Sequence, residues 1–149
     1  MKFLLTTLTA LSLTLFISCS DDAETITLDS SQPSGTFTSS SSGSFVAQND
    51  SGSAGTAELG KDSEGTQFLH FSNEFKTNQG TGTVTIYMST SATFTASPGT
   101  GNPDLLLVGA VKTNGEKYFK IAPVAASKFT HVILWCGSAN VTFGNAELK

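Results

Sequence analysis

The sequence predicts an all-β fold, an antiparallel β-sandwich or barrel-like sandwich of roughly eight to ten short strands. Three observations predict it. Thr, Ser and Gly are abundant, and Phe, with 11 residues, is the main aromatic; that balance suits pleated, half-buried strands better than helices. Segments with a two-residue alternation recur about every eight to twelve residues between Gly, Pro and Asn turn signals. Beyond the N-terminal stretch, no window keeps apolar residues at helical spacing over several turns.

The chain opens with a short positive start, Met1-Lys2, and an apolar stretch from Phe3 to Ile17 diluted with Thr and Ser. A membrane-spanning helix needs about 20 mostly apolar residues, so this stretch reads as a secretory signal. Leu15-Phe16-Ile17-Ser18-Cys19 resembles a bacterial lipobox, with Phe16 where Leu is usual. The resemblance implies a lipoprotein signal peptide over residues 1–18 and lipidation of Cys19, whose acyl chains would anchor a soluble domain to a membrane. An ordinary signal with a chance Cys is the other reading. Ser20-Asp21-Asp22-Ala23-Glu24 resembles the export signal of bacterial surface lipoproteins, which implies an extracytoplasmic site at the outer membrane or cell surface. Residues 19–33 are polar and read as a lipidated tether, in which Ile26 and Leu28 alternate with Thr and could form a short strand. Residues 34–149 form the single domain.

Within the domain, 35–38 and 44–47 read as two short strands around the serine run Ser39–Ser42, which is assigned to a loop because nothing in it can be buried. Residues 53–59 alternate small and polar side chains as a strand does. Thr66 to Phe71 places Leu69 and Phe71 on one face and Phe68 and His70 on the other. Asn73 to Gly82 is a polar loop with Phe75 as an apolar plug. Thr83 to Ser89 puts Val84, Ile86 and Met88 on one face. After the turn signals Pro98-Gly99 and Gly101-Asn102, Asp104 to Lys112 is nearly continuously apolar, as a strand covered on both faces would be. Asn114-Gly115 is a strong hairpin signal, with 118–121 as the return strand ended by Pro123. Thr130 to Cys136 is a further apolar strand, and Val141 to Leu148 closes the domain.

The chain carries eight Lys and no Arg against twelve acidic residues, and Lys2 leaves with the signal. The Lys residues are scattered, so nucleic acid is excluded as a partner, as is a purely electrostatic grip on anionic lipid. There are two cysteines. If Cys19 carries lipid, Cys136 is an unpaired thiol in an exported protein: an inert buried hydrophobe, a redox group, or a ligand. On a regular strand Cys136 shares a face with Val132 and Leu134, while Trp135 points the other way with Ile133 and His131. An apolar face raises a thiol's pKa; the strand end before Gly137 leaves room for exposure at a rim. Lys128 and His131 are the nearest cations in sequence.

His70, His131, Cys136 and Met88 make up the bare inventory of a blue-copper site. No His or Met follows Cys136, however, and His131 lies on the opposite strand face, so no metal site is expected. The acidic residues are dispersed, without a calcium-binding cluster. No Ser/His/Asp arrangement stands out, and there is no Cys-x-x-Cys-His for covalent haem.

Taken in order, several segments resemble the electron-transfer DM-thirteen domain, a small extracellular β-sandwich family related to DOMON-type domains. They are Gly35-Thr36-Phe37, followed by the strand around Gly55 to Leu59; Leu69-His70-Phe71-Ser72-Asn73-Glu74-Phe75; Gly82 to Met88; Leu107 to Lys112 with Gly115 to Tyr118; and Val132-Ile133-Leu134-Trp135-Cys136 followed by Val141 to Leu148. The resemblance covers Gly35 to Leu148. It implies a redox or electron-transfer role at a cell surface, with the family's signature cysteine at Cys136 acting as a free thiol or holding a prosthetic group such as haem. Trp135 would shape its environment, and His70, Met88 or His131 could complete a ligand set. Haem and no cofactor are equally open. The electron partner would be a separate protein, and the chain reads as an electron-transfer or binding module rather than a stand-alone enzyme. The alternative is a non-catalytic surface sandwich that grips a glycan or protein through loops such as 92–102, with Cys136 inaccessible.

Overall fold

A computed structural model describes residues 31–96 and 101–149. The lipobox, Cys19, the acidic run, the Ile26–Leu28 strand and the Pro98-Gly99 turn lie outside the described residues. The strands are β1 (Thr38–Ser44), β2 (Val46–Ala47), β3 (Thr56–Lys61), β4 (Gln67–Phe71), β5 (Val84–Ser89), β6 (Leu105–Val111), β7 (Lys117–Lys120), β8 (His131–Cys136) and β9 (Val141–Glu147). They form two antiparallel sheets, β1-β3-β4-β7 and β2-β9-β8-β5-β6. The sheets face each other as a sandwich and do not close into a barrel.

The alternation read from the sequence determines which side chains lie between the sheets. Leu69 and Phe71 from β4, Val84, Ile86 and Met88 from β5, and Val132, Leu134 and Cys136 from β8 have at most 1% of their surface exposed. Each large apolar side chain so buried contributes roughly 1.5–3 kcal/mol. Phe75 enters from the loop as expected: it is 1% exposed, with its ring 4.5 Å from Phe71 and 5.4 Å from Phe45. Phe45 sits where the chain leaves β1 in one sheet and enters β2 in the other.

Three expectations are corrected. The serine run is not a loop but most of β1, and residues 35–37 precede the strand. β1 is an edge strand with largely exposed side chains, so its backbone pairing with β3 needs no apolar residue. The bulge between Ser39 and Ser41 turns the Ser40 hydroxyl onto the Leu59 carbonyl at 2.8 Å. Second, β6 is not covered on both faces: it is the edge of the five-stranded sheet, and Leu107 is 62% exposed. Third, Asn114-Gly115 does not close a hairpin. β6 pairs with β5 and β7 with β4, so the turn carries the chain from one sheet to the other. Gly115, at φ 89°, takes the left-handed conformation the corner requires. The Asn114 side-chain oxygen accepts from Thr77 N at 3.0 Å and Gln79 Nε2 at 3.1 Å.

Candidate functional site

β8 lies inside the five-stranded sheet, between β5 and β9. Its alternation points Cys136 inward with Val132 and Leu134, as the sequence predicts, and the side chain has no exposed surface. Cys136 is a free thiol. It is also the last residue of its strand, and the exposed turn 137–140 follows. That placement brings polar groups to an otherwise apolar sulfur. Ser138, in the turn, lies with its hydroxyl 3.4 Å from Sγ. Thr81, in the loop before β5, accepts a hydrogen bond from the thiol at 3.2 Å. Thr83 Oγ1 donates to Ser138 at 3.1 Å, and Gly137 N donates to the Thr83 carbonyl at 3.3 Å, tying the two loops together. Thr81, Thr83 and Ser138 are all exposed. The sulfur therefore sits one hydroxyl layer beneath the surface.

The loop that carries Thr81 is pinned from below. Thr77 bonds Ser53 through their hydroxyls at 2.7 Å, and Lys76 bridges Ala54. Ser51 donates in turn to the Phe143 carbonyl of β9. This buried hydroxyl chain satisfies polar groups that would otherwise destabilise the interior.

Burial is the largest influence on the Cys136 thiol and raises its pKa. The hydroxyls of Ser138 and Thr81, then the backbone N–H groups of Ala139 and Ser138, oppose burial and outweigh it, so the thiol lies below its ordinary value. The stabilising groups are dipoles rather than cations. Lys128 is engaged elsewhere, with the Pro103 carbonyl and with Asp104 at 3.7 Å.

Trp135 lies on the outer face of the same sheet. The loop after β5 folds back over it, stacking Phe94 on the indole at 4.0 Å and 20°, with Tyr87 at 5.0 Å from Phe94. Ile133, on the same face of β8, is 0% exposed.

The remaining candidates are not brought to the sulfur. Met88 is in the core, but it pairs with Val132 whereas Cys136 pairs with Val84; four residues along a strand is roughly 13 Å. His131 is at the far end of β8, opposite Ser89 and Glu147, with Nδ1 3.0 Å from Thr130 Oγ1. His70 belongs to the other sheet, on the face opposite Leu69 and Phe71, between Glu58 and Glu116. A haem iron would need the sulfur open to a flat cavity, with any second ligand facing it. Cys136 is fully enclosed, its sulfur holds two hydroxyl contacts, and no candidate faces it, so these residues do not fit a haem. Among the described residues, no group of three or more His, Cys, Asp or Glu is placed to hold a metal ion.

Thr81 and Ser138 are the neighbours of the sulfur that sequence reasoning missed. Ser138 carried a weak signal, two residues past the cysteine in a Gly-initiated turn. Thr81 is 55 residues away in sequence, and only the β5–β8 register brings it near.

Comparison with curated proteins and with solved structures finds no match. The family model described as Electron transfer DM13 matches residues 44–148. That match takes in β2 to β9, the Thr81 loop and the Cys136–Ser138 turn. The match spans more than half of the chain and places it in the Electron transfer DM13 family, a membership that points to an electron-transfer or redox-related role.

Proposed function

We propose that this protein is a membrane-anchored extracytoplasmic electron-transfer module whose redox group is the thiol of Cys136. The supporting observation is the polar seat of the sulfur, two hydroxyls and two backbone N–H groups that hold the thiol below its ordinary value inside an apolar core. A one-electron acceptor, a separate redox protein, takes an electron from the sulfur. If the thiol begins protonated, its S–H bond breaks and the proton leaves through the Ser138 or Thr81 hydroxyl to solvent, leaving a thiyl radical. Re-reduction reverses both transfers. No haem takes part. Lipidation at Cys19 would hold the domain at a bacterial outer membrane or cell surface, with residues 19–33 as the tether.

The test is single-turnover electron exchange between the purified protein and a soluble one-electron oxidant. A Cys136→Ser protein is expected to lose the exchange. Unchanged exchange in that variant rejects the thiol as the redox group.

A second reading, glycan or protein binding, has one observation in its favour. A depression of about 200 Å³ beside β5 and β6 is lined by Ser89, Thr93, Thr95, Asn102 and Asp104. Glycan-array binding that is lost in Asn102→Ala would support it.

A further inference from the structure

The edge of a β-sheet is a row of backbone N–H and C=O groups able to pair with a further strand, and proteins blunt such edges with charge, brevity or irregularity. The described residues show four edges. β1 is a polar serine strand, β2 is two residues long, and β7 begins and ends in lysine. β6 differs. Its seven residues, Leu-Leu-Leu-Val-Gly-Ala-Val, hold no charge and no proline. Among the described residues no strand lies along its outer side. Leu107, 62% exposed, and Ala110, also exposed, stand on the outer face, whereas Leu106 and Val108 pack on the core and Val111 is 4% exposed.

Two features select the partner. The first is a bulge. Ile86 of β5 pairs with Gly109 and Tyr87 with Leu107, which leaves Val108 as an extra residue. A partner strand in plain alternation would match inner with inner and outer with outer on one side of the bulge alone. A second copy of β6 carries the same irregularity. Set antiparallel about a two-fold axis between Val108 and Gly109, the copies match faces along the whole strand: Leu107 meets Ala110 on the outer face, and Leu106 meets Val111 on the inner. The second feature is charge. Asp104 precedes β6 and Lys112 follows it. In that register Lys112 of each copy faces Leu105 of the other and stands one position from its Asp104. The lysine stem covers the leucine and its ammonium reaches the carboxylate. Lys112 is exposed and meets no acid among the described residues, and the Asp104 side chain is 62% exposed.

We propose that β6 is a self-association edge, through which two copies of this chain pair β6 to β6 and join their five-stranded sheets into one continuous sheet. The contact is isologous and closes with two copies. It does not propagate, because the other edge of the sheet is the two-residue β2. The interface is independent of Cys136 and stands if the thiol proves inert.

The test is analytical ultracentrifugation of the purified full chain over a range of concentrations. One strand a side makes a small contact of the weak, reversible class, so monomer and dimer are expected to exchange with concentration. A chain that stays monomeric up to about 1 mM overturns the proposal. Leu107→Lys with Ala110→Lys alters two exposed side chains and sets lysine against lysine twice across the axis; it is expected to weaken the dimer about tenfold or more. Leu107→Lys with Ala110→Glu sets lysine against glutamate in the same places and is expected to restore it. A double-lysine dimer as tight as the unaltered one overturns the proposal, and so does a lysine–glutamate variant as weak as the double-lysine one. If the variants disturb the fold, amide hydrogen exchange of the unaltered chain decides instead. Protection of β6 that rises with protein concentration supports the interface, and exchange independent of concentration overturns it.

Discussion

Replacing Thr81 by Val and Ser138 by Ala strips the Cys136 sulfur of its two hydroxyl partners, at 3.2 and 3.4 Å. Burial already disfavours the thiolate at this position, and the hydroxyls, with two backbone N–H groups, are what overcome it. At these distances from a large, soft sulfur, a hydroxyl is counted at the net worth of an ordinary hydrogen bond, about 1 kcal/mol each. Since 1.4 kcal/mol is about tenfold, each single variant should lower the thiolate population at fixed pH about fivefold. The two hydroxyls share one acceptor, so the double variant is expected to reach about tenfold rather than the full product. Ultraviolet thiolate absorbance followed across pH is the appropriate assay, because it reads charge alone; alkylation would mix charge with the easier access the smaller side chains give. The titration midpoint should move to higher pH in each single variant and further in the double. The same shift has a consequence for folding. A thiol lowered on folding adds nothing to stability at low pH. Its contribution grows as pH rises through the lowered folded value and is complete above the ordinary 9.0. That alkaline increment should shrink in the variants. A double variant whose midpoint is unchanged, or lower, would refute the claim that these hydroxyls stabilise the thiolate.

Three further outcomes follow from the packing and the loops. Phe75→Ala empties a site 1% exposed between Phe45 and Phe71, so urea unfolding should show a loss of about 3–5 kcal/mol. The Asp62 carboxylate accepts backbone N–H bonds from Ser34 and Glu64 at 3.0 Å and from Thr66 at 2.8 Å; these bonds, Ser34's first, outweigh burial and hold it below its ordinary 3.8. Its contribution to stability is full above that ordinary value and disappears as pH falls through the lowered one, so Asp62→Asn should flatten this part of an acid-unfolding curve. Phe94→Ala removes the ring stacked on Trp135; Trp135 is the single tryptophan, so its fluorescence should shift to the red and become more quenchable by iodide.

The interior of the sandwich was legible because a two-residue period carries the inner face directly. Leu69 with Phe71, Val84 with Ile86 and Met88, and Val132 with Leu134 and Cys136 are buried as the pattern requires. The edges were not legible. A serine run can be a strand when only its backbone is needed, as in β1, and a nearly unbroken apolar run can still be an edge, as in β6. Asn-Gly specifies a local backbone shape, and that shape serves a corner between sheets as well as a hairpin. At the site, strand parity placed Cys136 inward and separated it from His131. It carried no information on Thr81, whose approach depends on how β5 and β8 pair, nor on His70, whose partners were set by the β3-β4-β7 register.

The closure around Cys136 also bears on the redox chemistry proposed for it. Oxidation to a sulfenic acid requires a peroxide oxygen to touch the sulfur, and disulfide exchange requires another sulfur to do so. Neither can reach a side chain with no exposed surface whose outward side is held by Thr81 and Ser138. One-electron transfer has no such requirement, because the acceptor need not touch the sulfur and the proton has a hydroxyl route to exposed Ser138. The folded protein should therefore keep its thiol count in hydrogen peroxide while still exchanging electrons with a one-electron oxidant. Thr81→Ala with Ser138→Ala should open the sulfur to peroxide, and a faster loss of titratable thiol would show it. Rapid peroxide oxidation of the unaltered folded protein, at the rate of the unfolded chain, would mean that the hydroxyl layer opens readily and that two-electron thiol chemistry is available to Cys136.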